Sequence, residues 1–493
     1  MKVVLINPNI VTQKNDFFGT GIPYMPITLA YAASYLRKKG HEISVIDAFG
    51  ENPWKLRKID DKYIQGLDTN EIIKKIDKNT EIICIYAGLV VTHEINLEII
   101  KNIRKKFNIP IVVIENTQSV VAYSLKNIFI DFFNYGANYV ITGEPEIRLE
   151  KLLNCLEKKK SLKTIDGLIF KKDGKIIINK KKSFIKDLDA LPFPAWDLFP
   201  LENYWKLGYA HAPLSSKKYL PMLTSRGCIY DCEFCIIPEM NKRRWRFRSP
   251  ENIVDEILYW NKTYGIREFH IEDLNPTISK KRIIDLSKLI IRKKINIKWK
   301  IAAGTKIEHI DKNTLKWMKK SGCNYISFSP ESGSKNVLEL MHKPFDHLYG
   351  LEIVKKMKNN KIKTQACFVI GFPGENEKDL NETKRYIKKL TKNGLDEVAI
   401  FIMTPIPGSR QYGKISGYKK IDQLTFTPIW RSDFKKLNDF RIKIYIKFIL
   451  WKLIYNPLSL FRQFISLLIG RYETKSEMTI IRILKMNCGR WFR

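Results

Sequence analysis

Short, continuously apolar runs alternate with helix-length stretches almost from the first residue, and the alternation occurs twice with different rhythms. In the first 150 residues the runs fall at 3–6, 42–46, 82–86, 109–114 and 139–141, with a helix expected over 27–38. Strands that are apolar throughout are buried on both faces, and with helices between them they pack as a parallel, doubly wound sheet. Ligands of such sheets sit at the carboxyl ends of the strands. The loop after the first strand, from Asn7 to Met25, is long, holds Gly19, Gly21 and Pro23, and is a candidate binding loop.

Residues 151–205 read as a connector. A turn at Lys171-Lys172-Asp173-Gly174-Lys175 separates strand-like runs at 167–170 and 176–178. The segment Leu191-Pro192-Phe193-Pro194-Ala195-Trp196 fits neither a helix interior nor a central strand and marks a boundary. The second alternation has strands expected at 220–224, 268–272, 298–302, 325–328, 364–370 and 397–401, with helices such as 278–292 and 311–320. Six β/α repeats of this size make a barrel or partial barrel with its chemistry at the carboxyl strand ends. The expected fold is therefore α/β in four units. These are a Rossmann-like sheet at 1–150, the connector at 151–205, a partial (β/α)6 barrel at 206–430 and a basic helical extension at 431–493.

The net charge of +35 is spread along the chain, in runs such as Lys158-Lys159-Lys160 and Lys180-Lys181-Lys182. A Lys-rich composition with solvated basic faces explains this better than nucleic-acid binding, while an acidic redox partner or an anionic membrane stay open. The N-terminus lacks the pattern of a secretory signal. Cys84, Cys155, Cys323, Cys367 and Cys488 are scattered singly, which is not a disulfide framework and fits a reducing cytoplasm. In the tail, residues 435–493 hold 13 Lys and Arg against 3 Asp and Glu, a surplus of ten. Pro457 should break it into two helices, which either close the open side of the barrel or rest on a membrane.

The other three cysteines lie within eight residues, at Cys228, Cys232 and Cys235, directly after the first strand of the second alternation. A structural zinc site wants four ligands, commonly two separated pairs, and no second pair exists. Three thiolates suit a cubane 4Fe-4S cluster whose fourth iron stays open.

At these residues the chain resembles the radical S-adenosylmethionine (SAM) superfamily. The C-x3-C-x2-C spacing, with Phe234 before the last cysteine, is the carrying motif. The resemblance implies that the open iron chelates SAM and that an electron from the cluster yields a 5′-deoxyadenosyl radical. It also implies a SAM pocket. Glu272 and Asp273 after the second strand would accept from the SAM ammonium, although Asp273 or Asn275 could equally cap a helix. Ser329-Pro330-Glu331-Ser332-Gly333-Ser334 is similar to the family's G-x-E-S-G-S element, with Glu331 and Ser332 facing SAM and Pro330 unusual. The turn Gly371-Phe372-Pro373-Gly374-Glu375 resembles the element near the adenine, which gives Gly371 and Gly374 a place at the cofactor. Thr404-Pro405-Ile406-Pro407-Gly408-Ser409 resembles the stretch after the sixth strand.

Leu5-Ile6-Asn7-Pro8, Gly40-His41-Glu42, Gly143-Glu144-Pro145-Glu146 and Leu188-Asp189-Ala190-Leu191-Pro192 are similar to the subgroup in which a cobalamin-binding domain precedes the barrel. The resemblance implies cobalamin held without a histidine ligand, since no Asp-x-His-x-x-Gly motif is present and His93 reads as structural. It departs at Ile114-Glu115-Asn116-Thr117, where relatives carry Gly-Gly. Glu115 there would set charge and bulk against the cofactor. The implied activity is cobalamin-dependent C-methylation of an inert carbon on a small-molecule or lipid substrate, fed by an acidic flavodoxin- or ferredoxin-type donor. Radical oxidative cyclisation, as in the anaerobic magnesium-protoporphyrin ester cyclase, is the alternative. A methylthiotransferase is disfavoured because only Cys84 precedes residue 151, and a non-catalytic binding protein because the cysteine triad is intact.

Overall fold

The computed structural model describes residues 1–14, 16 and 19–487. Cys488 and three positions of the Asn7–Met25 loop (15, 17 and 18) lie outside the described residues.

The first alternation builds a seven-stranded sheet. The parallel strands Glu42–Asp47, Lys2–Asn7, Ile82–Ala87, Ile111–Glu115 and Tyr139–Ile141 lie in that spatial order. Leu5, Ile6 and the whole Ile82–Ala87 strand are buried, as unbroken apolar runs require. The hairpin Leu168–Lys172 and Lys175–Ile178 extends this sheet as an antiparallel edge, so the sheet does not stop at residue 150. The Pro-rich segment lies across the helix Ile27–Lys38, where Ala195 N–H donates to the Ala30 carbonyl at 3.0 Å and Trp196 is fully buried.

The second alternation builds a six-stranded, all-parallel sheet. Its order is Leu220–Met222, Glu268–Ile271, Lys298–Thr305, Cys323–Glu331, Lys363–Ile370 and Glu397–Ile402. A register shift between Phe328 and Glu331 accommodates Pro330, which has no N–H for a regular ladder. Two smaller sheets were not expected. Ile10–Gln13, Leu56–Ile59 and Lys62–Gln65 form an antiparallel sheet, so part of the candidate binding loop is strand. Ser225–Gly227 pairs with Trp245–Phe247 beside the cysteines.

Three helices make the tail: Phe434–Tyr455, Pro457–Ile469 and Lys475–Asn487. Pro457 opens the second of them, and the first two meet at 113°. Neither is long and apolar enough to cross a membrane alone. The first packs Leu437, Arg441, Ile444, Phe448 and Lys452, one helical face, against the second sheet. Its Tyr445 hydroxyl accepts Ile400 N–H at 3.0 Å. The third reaches from the edge strand Glu397–Ile402 to the helix Leu201–Leu207: Ser476 N–H donates to Glu397 at 3.1 Å, and Lys485 Nζ donates to the Leu207 carbonyl at 3.0 Å.

Candidate functional site

The carboxyl ends of both large sheets face one cavity of about 340 Å³. One wall comes from the second sheet. Cys228, Cys232 and Cys235 line it together with Phe234, Glu272, Glu331, Lys306 and Lys343. The loop that presents the cysteines is held from behind. Asp273 accepts Thr224 N–H and Thr224 Oγ1 at 2.6 Å and Ser225 Oγ at 2.5 Å. Gly227 sits at φ +85° with the Arg244 carbonyl only 2.0 Å from where a Cβ would stand, so no other residue fits there. At Gly304 a Cβ would lie 2.0 Å from Ser329 Oγ in the cavity wall, so a larger residue there would have to turn that hydroxyl aside.

Burial raises the thiols of all three cysteines, that of Cys232 to about 11. Metal must therefore displace protons to bind here. Among the described residues no three His, Cys, Asp or Glu side chains converge closely enough for a single metal ion. A cubane is a wider body that holds its thiolates further apart than one ion does, so three thiols spread along one cavity wall fit a cluster.

Glu331 occupies the left-handed region at φ +64°, an uncommon conformation for a residue with a side chain. It forms a buried ion pair with Lys343, whose ammonium lies 5.8 Å from the centre of the Phe234 ring. Burial works against the Lys343 charge, but the Glu331 carboxylate overrides it and raises the lysine above its ordinary value.

The expected SAM residues divide. Phe234, Glu272 and Glu331 line the cavity. Asp273, Ser332, Gly371 and Gly374 do not. Both Asp273 oxygens are committed to residues 224 and 225, so Glu272 and Asp273 do not act as a pair. Burial raises the Asp273 carboxyl. Ser332 Oγ is 3.1 Å from Thr383 Oγ1 behind the strand. Gly371 N–H donates to its own turn's Glu375 at 2.5 Å. Glu272 accepts instead from His211 Nδ1 at 2.6 Å.

The opposite wall comes from the first sheet and is neutral. Asn7, Asn9, Thr28, Asn116, Gln118 and Ser119 line it with Tyr86, Leu89, Val120 and Val121. Glu115 points away from it, accepting Leu125 N–H at 2.9 Å and Gly143 N–H at 2.5 Å, so its charge does not face the cavity. Asn116 takes the lining position. His93 is buried beside Tyr123 and Asp131, 3.2 Å from the latter, and no histidine of residues 1–150 lines the cavity. The two walls are tied together: Gly227 N–H donates to Gln118 Oε1 at 3.3 Å, and Arg226 Nη2 donates to Glu146 at 2.6 Å.

A third wall had no counterpart in the sequence motifs. Tyr24, Tyr209 and His211 line it with Lys475, Met478, Thr479 and Arg482 of the last helix. The last four stand at i, i+3, i+4 and i+7, the one signal in the sequence that could have found them.

The radical SAM superfamily model matches residues 222–387. An uncharacterised methyltransferase of Pyrococcus horikoshii is 28% identical over 435 residues, 87% of this chain and 86% of that protein. The anaerobic magnesium-protoporphyrin IX monomethyl ester cyclase of Synechocystis is 23% identical over 486 residues, 93% of this chain and 88% of its own. Among solved structures, the radical SAM methyltransferase TsrM of Kitasatospora setae, bound to tryptophan and a SAM analogue, aligns with a TM-score of 0.65 at 16% identity. The alignment covers 84% of this chain and 75% of TsrM.

Proposed function

We propose that the chain, whose residues 222–387 match the radical SAM superfamily model, is a cobalamin-dependent radical SAM methyltransferase acting on an inert carbon. The observation that carries this reading is the meeting of a three-cysteine wall and a neutral, amide-rich wall in one cavity. When bound, the cluster supplies the electron that cleaves SAM to a 5′-deoxyadenosyl radical, and cobalamin supplies a methyl carrier. Cys228, Cys232 and Cys235 would hold the cluster. Glu331 and Glu272 would accept from the SAM ammonium, with Lys343 and His211 fixing their carboxylates, and Phe234 would shield the cluster. Asn7, Asn116, Gln118 and Ser119 would hydrogen-bond the cobalamin periphery, and among the described residues 1–150 no histidine lines that wall. The parallel sheet of six strands fits a partial barrel and the seven-stranded sheet a Rossmann-like domain. Oxidative cyclisation of the substrate is the second reading, favoured by the near full-length match to the ester cyclase.

Anaerobically reconstituted protein should bind about four irons per chain and release 5′-deoxyadenosine with a strong reductant. Its cob(II)alamin form should lack axial nitrogen splitting in electron paramagnetic resonance. Zinc without iron, or no uptake of cobalamin, sinks the assignment.

The tail supports both expected roles on different helices. Its last helix closes the cavity. On the first two, Ile446, Ile454, Leu458, Phe461, Phe464 and Leu468 are more than half exposed. Residues 440–472 contain six Lys and Arg and no Asp or Glu. An apolar surface in an acid-free, basic setting matches an anionic lipid interface. The protein should float with anionic vesicles at low salt, and Phe461→Asp together with Phe464→Asp should abolish flotation with the cluster intact. Flotation unchanged by the substitutions refutes the docking surface. The electron donor that fits a chain of net charge +35 is an acidic flavodoxin- or ferredoxin-type protein.

A further inference from the structure

The charge of the third wall is unusual. Four cationic side chains line the cavity, Lys306, Lys343, Lys475 and Arg482, against two carboxylates, Glu272 and Glu331. Lys343 is paired with Glu331 and Lys306 with Glu308. Lys475 differs. Its Nζ donates to the Ala302 carbonyl at 2.8 Å and to His211 Nε2 at 3.2 Å. Among the described residues no carboxylate lies within 4.0 Å of it. An ammonium has three donors, so one N–H remains for a ligand.

The lysine is held in place by a directed chain. Burial works against the Glu272 charge, but the neighbouring His211 holds its carboxyl below the ordinary range. A lysine ammonium can only donate, so His211 Nε2 accepts from Lys475 and Nδ1–H donates to Glu272. Glu397, the other nearby carboxylate, is engaged by Tyr325 Oη at 2.7 Å and by Ser476 N–H at 3.1 Å. Burial lowers Lys475 from its ordinary value, so an incoming anion would relieve a desolvated cation. Arg482 stands two turns further on the same helical face, about 10 Å along the axis, with Tyr209, the Asp16 carboxylate and Tyr24 beside it.

We propose that Lys475 and Arg482 form a substrate subsite for an oxyanion, a phosphoryl or carboxylate group, with the Glu272–His211 pair positioning Lys475. The proposal rests on the cofactor reading of the other two walls and names the substrate class of the same site. The last helix is thereby both lid and specificity element, and the substrate's reacting carbon lies between its anionic group and the cluster wall.

Calorimetric titration of the holoenzyme, with cluster, SAM and cobalamin bound, tests this with inorganic phosphate, pyrophosphate and acetate as probes. At least one probe should bind, and which one identifies the oxyanion class. Lys475→Met and Arg482→Gln should each weaken that binding about tenfold or more, as loss of a charge-assisted contact does. Lys475→Arg should recover part of it. Iron content and the cluster absorption of each variant report folding; should Lys475→Met lose them, Arg482→Gln and Lys475→Arg still decide. Equal binding by wild type and a folded Arg482→Gln protein would place the anion on the basic surface and overturn the proposal, as would no binding by any probe. Release of 5′-deoxyadenosine by the wild type reads the cofactor assignment separately, so the two can fail independently.

Discussion

The two large walls of the cavity are built on the same plan and differ in chemistry. Both present the carboxyl ends of parallel strands, yet the second sheet contributes thiols, carboxylates and ammonium groups, and the first contributes amides, hydroxyls and apolar side chains. Charges on the second wall come with partners, Lys343 with Glu331 and His211 with Glu272. On the first wall the carboxylates are turned away: Asp47 accepts from Asn7 at 2.8 Å behind the lining, and Glu115 binds backbone N–H groups. A wall of paired charges suits a zwitterion and an anionic cluster. A neutral wall suits a large ligand held by many weak contacts, where an unpaired charge costs binding.

The contrast breaks most completely at the cysteines. Cys228→Ala, Cys232→Ala or Cys235→Ala should take bound iron from about four per chain to near zero while cobalamin uptake persists. Cys84→Ala and Cys323→Ala, buried away from the cavity, should keep the iron. Cys367 lines the cavity beside Lys475, and Cys367→Ala should also keep it. Loss of cobalamin together with iron would mean the walls are not independent.

Next in size is Glu331→Gln. It keeps the shape but leaves Lys343 buried without a carboxylate, a change of about 3 kcal/mol or more for buried pairs. Thermal stability should fall, the SAM dissociation constant should rise about tenfold, and the iron content should stay near four. Loss of iron would place Glu331 at the cluster and not at SAM.

On the neutral wall, Val120→Glu tests the converse. Val120 lines the cavity and is 49% exposed, so the substitution adds a charge without opening a core. Cobalamin affinity should drop about tenfold, the size of a modest desolvation cost, with iron and SAM binding unchanged. An unchanged cobalamin titration would separate the cofactor from this wall.

Much of this architecture was legible because unbroken apolar runs have few ways to fold; the strand Tyr139–Ile141 matches its expected bounds and the other principal strands lie within three residues of theirs at either end. The antiparallel sheet was missed because Leu-Arg-Lys-Ile and Lys-Tyr-Ile-Gln are short and half polar. Site residues were harder, for one recurring reason. Near a strand end successive side chains alternate sides, and adjacent polar residues in a motif look equivalent in sequence. Glu272 faces the cavity and Asp273 the loop behind it; Glu331 faces in and Ser332 out; Asn116 faces in and Glu115 out. The tail was expected to close the open side of the barrel, but which of its residues reach the cavity was not legible. His211 and Lys475 are 264 positions apart and meet only when the tail folds back.

The smallest expected effect concerns a carboxyl just behind the charged wall. Glu375 accepts Gly371 N–H within its turn, its other oxygen is buried without a partner, and burial pushes its pKa up to about 7 from 4.5. A carboxyl raised in the folded state binds its proton more tightly than in the unfolded chain. Its contribution to stability is then complete below pH 4.5 and is lost as pH rises through 7. The full shift corresponds to roughly 3 kcal/mol, and partial exposure of the side chain reduces it to about 1–2 kcal/mol. Glu375→Gln keeps an acceptor for Gly371 and cannot ionise. The wild type should therefore lose about 1–2 kcal/mol relative to the variant between pH 5 and pH 8, seen in paired denaturant titrations of the reconstituted protein. Equal slopes would mean Glu375 is solvated and ionised throughout. Asp47, behind the neutral wall and raised to about 6, gives a slope complete by a lower pH. The acids behind the two walls would then be told apart by the pH at which each slope ends.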